Sequence, residues 1–451
     1  MSLNLTLGLI LGTPYILGKP DLKIDIVSEA LNSTIHTYST SLSTFMDISG
    51  KISYCPNNLV LNSNNFSSQE ISTTKGTNYI LSFYGSGSIS IFGITTINGN
   101  NTGTRSYLKF TATSSSIRLD SIGNNYNVQL EAVTYKTTPS TYIATQGKAY
   151  YGPRINNGVL IEPYSYNFIK NCNNPELFNT NSTLEITADT YPDGSTSGLK
   201  WKQQSIGTAY STYSIPKDTV SKFYTFSCFV KKVNATYITL SLSSSAGTIV
   251  SSIFNLDNGT VESITPGISI AGQSIASSIE NQGSFYRVWI RALSDNTNSL
   301  VVGLSFTGNT LSEGKIWGLQ CEPIQIPTSL IVTGNSGKSR NSDIMYINYS
   351  PLSKGCYLLE YKENYTNLVT ETVDGTLVNS IANISTPYGN LNIQEANRVT
   401  SIQDTSSCLA VFNYNSAFTS NTSQSLIPTN TSYLITKIYY YSGQINPQEL
   451  V

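Results

Sequence analysis

The sequence predicts an all-β chain: tandem antiparallel jelly-roll or β-sandwich modules behind an extended apolar arm. Three observations predict it. Apolar and polar residues alternate with period two, as in Ile238, Leu240 and Leu242 against Thr239 and Ser241. Turn dipeptides such as Asp193-Gly194, Asn258-Gly259 and Asp374-Gly375 separate the alternating runs. An internal repeat spans much of the chain. No sustained 3.6-residue apolar stripe and no heptads occur, so a helical bundle or coiled-coil stalk is not encoded.

Composition narrows the function classes. The 451 residues carry 26 basic and 27 acidic side chains, and charged residues make up 12%, about half the usual share. The surface is therefore polar through Ser, Thr, Asn and Tyr. Nucleic acid is not an expected partner, because phosphate neutralisation needs clustered Lys and Arg. With 39% hydrophobic and 11% aromatic residues the chain can build cores. Its length suits about three domains.

The first segment, 1–25, is an apolar arm punctuated by glycine, with Leu5, Leu7, Leu9, Ile10, Leu11 and Tyr15 as its large residues. It lacks the positive start of a signal peptide and is too short and interrupted to span a bilayer. Assembly in a cytoplasm without membrane insertion is expected. So apolar an arm is expected to pack into a partner or a symmetric neighbour, as an anchor and oligomerisation device. Residues 26–57 read as linking strands. They hold the only histidine, His36, so a Ser-His-Asp triad or a multi-histidine metal site would have to use this one residue.

The repeat defines the next two segments, a short first module over 58–154 and a second over 155–340. Asn58-Leu59 with Asn62, Asn64 and Asn65 recurs as Asn167-Phe168 with Asn171, Asn173 and Asn174. Tyr79-Ile80-Leu81-Ser82-Phe83 recurs as Tyr224-Thr225-Phe226-Ser227-Cys228, and Val128-Gln129-Leu130-Glu131 as Leu319-Gln320-Cys321-Glu322. The segment Pro139–Thr145 recurs as Pro327–Thr333. Offsets of 109, 145 and 191 residues place two insertions, of 36 and 46 residues, in the second copy. Each copy ends in a glycine-containing linker that reaches a basic residue, Arg154 or Arg340.

Alternation puts Tyr126, Val128 and Leu130 on one face, with Trp317, Leu319 and Cys321 as counterparts in the second core. Gln129, Glu131, Gln320 and Glu322 fall on the other face, toward loops, neighbouring strands or solvent. These carboxylates sit in different modules and do not form a catalytic pair. Residues 341–451 form a third, strand-rich domain ending in the run Tyr433–Tyr441 and a helical turn capped by Asn446 and Pro447.

Cys55, Cys172, Cys228, Cys321, Cys356 and Cys408 are scattered without a CxxC pair, and read as free thiols. No metal or cofactor is expected. Asp193 and Asp257 are the places where a calcium site on sandwich loops would fall, but no EF-hand-type loop supports one. Sugar sites combine an aromatic platform with fixed polar groups. Trp201, following Tyr191 and Asp193 in the first insertion, and Trp289, between Arg287 and Arg291, are the glycan-binding candidates. Packing, or Arg stacking at an interface, is the competing reading for both tryptophans.

These residues resemble tailed-phage virion fibre or spike proteins, of the head or the tail. The resemblance runs from about Ile24 to the C-terminus. It rests on Ile52-Ser53-Tyr54-Cys55-Pro56-Asn57-Asn58-Leu59 leading into Asn62-Ser63, and on the run Ile316–Glu322 followed by Pro327-Thr328-Ser329. The Ser/Thr-rich run from Thr34 to Gly50 adds to it. The final stretch, Ile438–Leu450, resembles the last strand and closing turn of concanavalin A-like (laminin-G-like) domains at fibre tips. The resemblance implies carbohydrate-binding-module-like jelly rolls, a homotrimer, attachment to capsid or tail proteins, a place on the virion surface and contact with host-surface glycan. Two other readings are weighed beside it. One is a passive capsid decoration protein with no receptor. The other, a polysaccharide depolymerase, needs two carboxylates about 5–10 Å apart, and nothing in the sequence singles out such a pair, so no enzyme is expected.

Overall fold

The computed structural model describes residues 41–347 almost throughout, with strands Leu22–Asp25 and Ile35–Ser39 before them and strand backbones between Gly355 and Tyr441 after them. The chain is all-β. Among the described residues every strand pairing is antiparallel, and the single helical element is a 3-10 turn at Ser63–Asn65.

The first module is a sandwich of two small sheets. Asn78–Gly85 lies between Ser106–Thr111 and Asn125–Val133. Facing it, Ser116–Ile122 pairs with Gln69–Ser72 and Ser88–Ile91, and Thr95–Asn98 extends that sheet. Leu81, Phe83, Ile89, Leu119, Val128 and Leu130 fill the space between the sheets. They are the apolar phase of their strands, which is why alternation was readable.

The second module keeps this strand order in wider sheets. Phe223–Lys232 lies between Phe285–Leu293 and Glu313–Glu322. Opposite, Ser299–Thr307 pairs with Tyr210–Pro216 and Tyr237–Ser244, and Gly247–Asn255 follows. The two insertions account for the extra width. The first supplies Phe178–Thr180 to one sheet and the hairpin Ser182–Ala188/Ser197–Gln203 to the other. The second adds Thr260–Pro266 and Ser274–Gln282 at the opposite edges. Each sheet is thus extended at both sides, and the core grows to take in Leu199, Trp201, Ile275 and Ile279.

The repeat persists in individual hydrogen bonds. The Asn58 amide donates to the Val128 and Ile143 carbonyls at 3.2 and 2.8 Å, and its oxygen accepts from Val60 and Leu130 N–H. Asn167 does the same with the Leu319 and Ile331 carbonyls and with Ile169 and Cys321 N–H. The Gln-x-Glu pairs are buried, not solvated. Gln129 and Gln320 accept from Ile143 and Ile331 N–H, and Glu131 and Glu322 from Ser140 and Thr328 N–H. They pin the return segments Pro139–Thr145 and Pro327–Thr333 against the sheets, satisfying backbone groups that no strand partners.

One phase reading is corrected. Asn127 and Gly318, equivalent in the repeat, both have positive φ, 51° and 60°. The register shifts there in both modules. A bulge of this kind inserts one residue and reverses the side-chain phase. Tyr126 therefore turns outward and stacks on Tyr84 at 5.9 Å, while Val128 stays in the core. Trp317 is buried, but on the face opposite Leu319, in a separate cluster with Ile52, Cys172, Tyr191, Phe229 and Leu330. At Gly318 a Cβ would come within 3.0 Å of the Phe229 ring, a second reason for glycine at that position.

The linking strands close over this outer face. Thr44–Met46 pairs with Ile52–Tyr54, the Ile52 N–H donates to the Pro192 carbonyl at 2.8 Å, and the Thr44 hydroxyl to the Leu330 carbonyl at 2.5 Å. Ile35–Ser39, which includes His36, pairs with Asp343–Ile347. Arg154 and Arg340, the basic ends of the two copies, meet at one buried junction. Arg154 contacts Glu162 and Asp343, and Arg340 contacts Glu162 and donates to the Pro163 carbonyl at 2.7 Å.

Beyond the junction, Gly355–Glu363 pairs with Ser407–Tyr414 and Tyr433–Tyr441. Tyr433–Tyr441 also pairs with Val159–Ile161 and with Leu22–Asp25, the last residues of the predicted arm. The arm residues Leu5, Leu7, Leu9, Ile10, Leu11 and Tyr15, and the closing turn at 446–450, lie outside the described residues.

Candidate functional site

The four glycan-binding candidates do not form one surface. Trp201 is fully buried in the second core, where it packs on Phe306 at 5.5 Å and donates from Nε1 to the Ser211 hydroxyl at 3.0 Å. Widening the sheet carried it inward: the strand Ser197–Gln203 is flanked on both sides, so its apolar phase faces the core. Trp289 is also fully buried, on the outer face of its strand, with Nε1 3.4 Å from Glu280. The flanking arginines stack elsewhere, Arg287 over Phe229 and Arg291 over Phe223. Neither tryptophan is an exposed platform. Tyr191 is buried beside Phe285 at 5.4 Å. Asp193 alone of the four lines a cleft.

That cleft lies between the two modules, with a volume of about 210 Å³. The first module contributes Lys75, Thr77, Asn78 and Thr134, and the linking strands Ile52 and Tyr54. The second contributes Asn171, Asn173, Asn174, Asp193 and Trp317. Local geometry explains the asparagines. Asn171 takes a left-handed conformation, φ 47°, as Asn62 does at the equivalent place, a conformation asparagine tolerates well. The Asn171 N–H is held by the Gly334 carbonyl at 2.7 Å, and the Asn174 N–H by the Asn171 carbonyl at 2.6 Å. The turn is thus pinned by its own backbone.

Burial pushes the Asp193 carboxyl above its ordinary range, against the pull of its hydrogen bonds with Ser195, whose N–H lies at 2.9 Å. The Trp317 indole N–H and the Thr134 hydroxyl are buried without a hydrogen-bond partner among the described residues. Such groups cost about 1–3 kcal/mol each when left unmet; the polar groups on the lining itself include Lys75, Asn78, Asn171, Asn173 and Asn174. The repeat singled out Asn171, Asn173 and Asn174 as a motif. It did not show that the turn they form would face the first module across a cleft.

A second cleft, of about 250 Å³, lies under the linking strands and is lined by Phe45, Met46, Asn156, Glu280, Gln282 and Arg287. Burial pushes the Glu280 carboxyl up to about 7, although Arg287 and the Trp289 N–H favour its charged form. Because the folded value lies above the ordinary 4.5, this group's stabilising contribution is complete below about 4.5 and is lost as pH rises through about 7. Glu280→Gln is expected to remove that part of the pH dependence, about 3 kcal/mol. Melting temperatures of the two proteins at pH 5 and pH 8 check this; parallel curves would refute it.

Four described cysteines, Cys55, Cys172, Cys228 and Cys321, are free and buried. Among the described residues no group of three or more His, Cys, Asp or Glu side chains is placed to hold a metal ion, and no helix is long and apolar enough to cross a membrane. Asp257, one of the two calcium candidates, is ion-paired with Lys232. Glu162 and Asp343 do stand together, but enclosed and bound by arginines.

No protein-family model matches the chain, and no curated protein matches it. Among solved structures, the chain is similar to an Arthrobacter globiformis T6 isomalto-dextranase complexed with panose, at 8% identity and a TM-score of 0.22. The match covers 63% of this chain and 36% of that one, so the chain spans about a third of the enzyme's length. A likeness of that size carries no argument about activity.

Proposed function

We propose that the chain is a subunit of a tailed-phage virion fibre or spike. In this reading residues near the N-terminus attach it to capsid or tail proteins, three copies assemble, and the β-sandwich modules meet host-surface glycan. The observation that carries the glycan part is the inter-module cleft. It has amides and hydroxyls on both walls and one carboxyl, that of Asp193. Sugar hydroxyls need this mixture of fixed donors and acceptors. Weak single sites would gain avidity from three copies.

Burial of Trp201, Trp289 and Tyr191 favours the second reading, a decoration protein without a receptor, because it removes the aromatic platforms on which a sugar ring would stack. One experiment separates the two. Particles carrying Asp193→Asn together with Asn173→Ala are expected to adsorb to host cells about tenfold more slowly, the equivalent of one lost polar contact. Normal adsorption by these particles, and by particles lacking the protein, would leave decoration as the surviving role. Labelling the protein in intact particles tests the virion assignment itself; its absence from purified particles would end it.

A further inference from the structure

We propose that the inter-module cleft takes an acidic sugar, one that bears a carboxylate, with Lys75 and Lys338 as its counter-charge. This rests on the glycan reading of the cleft and names the class of sugar. Lys75 lines the cleft and is exposed. Lys338 approaches from the end of the second module, where its ammonium donates to the hydroxyl of Thr74, the neighbour of Lys75, at 2.7 Å.

Among the described residues neither lysine has a carboxylate partner. Lys231 and Lys315, in contrast, both close on Asp189, at 2.8 and 2.6 Å. In a chain so poor in charge, one lysine on the cleft and a second held at the adjoining Thr74, neither with a carboxylate partner among the described residues, are a concentrated feature. Lys338 is only partly exposed, and burial lowers the pKa of its ammonium. A desolvated cation without an anion is costly, and a ligand carboxylate would recover that cost.

The rest of the lining supplies uncharged donors, the amides of Asn78, Asn171, Asn173 and Asn174. Asp193 is the sole acidic residue on the lining. It is not ion-paired among the described residues, and burial raises its pKa above the ordinary value against the pull of its hydrogen bonds with Ser195. A neutral sugar would meet the amides but leave both ammoniums without an anion.

Calorimetric titration of the full chain with tetragalacturonate and with a trimer of N-acetylneuraminic acid, each beside its methyl ester, tests the proposal. The ester keeps the ring and its hydroxyls and removes the charge. At least one acid is expected to bind, with its ester about tenfold weaker or more. Lys75→Gln is expected to weaken the acid by a similar factor and to leave the ester unchanged. Lys148→Gln, at an exposed lysine that does not line the cleft, is expected to behave as the unsubstituted protein. Equal binding of acid and ester, or full binding by the Lys75→Gln protein, would overturn the acidic-sugar assignment and leave the glycan reading standing. Binding of neither form would overturn both.

Discussion

Replacing Glu162 by Gln is expected to destabilise the protein by about 3–5 kcal/mol, the usual result of removing one partner from a buried ion cluster. Glu162 is 0% exposed and receives both Arg154 and Arg340, while its second oxygen accepts the Ser329 N–H at 2.7 Å. Burial opposes the charge on Glu162, but the two guanidiniums outweigh it and hold the carboxyl down at about 2. Glutamine keeps the shape and leaves two buried cations facing one remaining carboxylate, Asp343. The loss should lower the melting temperature by on the order of 10 °C. Lys200→Gln, at a partly exposed pair 3.6 Å from Glu185 and Glu313, should change it little.

The same substitution has a signature in pH. The folded value of Glu162 is depressed below the ordinary 4.5, so its contribution is present above about 4.5 and is lost as pH falls through about 2. Glu162→Gln should therefore flatten the acid limb of the stability curve. An unchanged acid limb would mean that the cluster does not hold the junction. The junction also bears on the fibre reading, because the arginine that ends each module is anchored to the same carboxylate.

Much of this fold was legible in the sequence, and the reason is local. A strand with one face buried must alternate, so Ile238, Leu240 and Leu242, or Val128 and Leu130, declare their core face. The repeat was legible because equivalent side chains hold equivalent backbone groups. Asn58 and Asn167 recur because each ties its own loop to the last strand of the module and to the return segment through the same four bonds. The site was less legible. Trp317 was misphased because a single bulge at Gly318 reverses the face of everything before it. Trp201 stood as a glycan candidate beside the packing reading because it lies in an insertion; that insertion widened a sheet and so acquired a core face of its own. The cleft depends on how the modules pack across Tyr54 and Val133, a long-range result that no local pattern encodes.

Asn167→Ala is expected to cost more than 4 kcal/mol, in the exceptional range for one substitution. The side chain is 0% exposed and serves four backbone groups: two N–H donors, of Ile169 and Cys321, and two carbonyls, of Leu319 and Ile331. Each group left unmet costs about 1–3 kcal/mol, and alanine leaves all four without this partner. Asn167→Asp is informative beside it. The carboxylate still accepts from both N–H groups, but it cannot donate, and it faces two carbonyl oxygens. It should not rescue the alanine variant. Asn58→Ala should reproduce the loss in the first module, because the four bonds are the same there. Hydrogen exchange read segment by segment distinguishes the two. Asn167→Ala should expose the Ile169 and Cys321 amides while those of Val60 and Leu130 stay protected, and Asn58→Ala should do the reverse. Equal loss of protection in both modules from either variant would mean that the modules unfold as one unit rather than as two domains joined at Glu162.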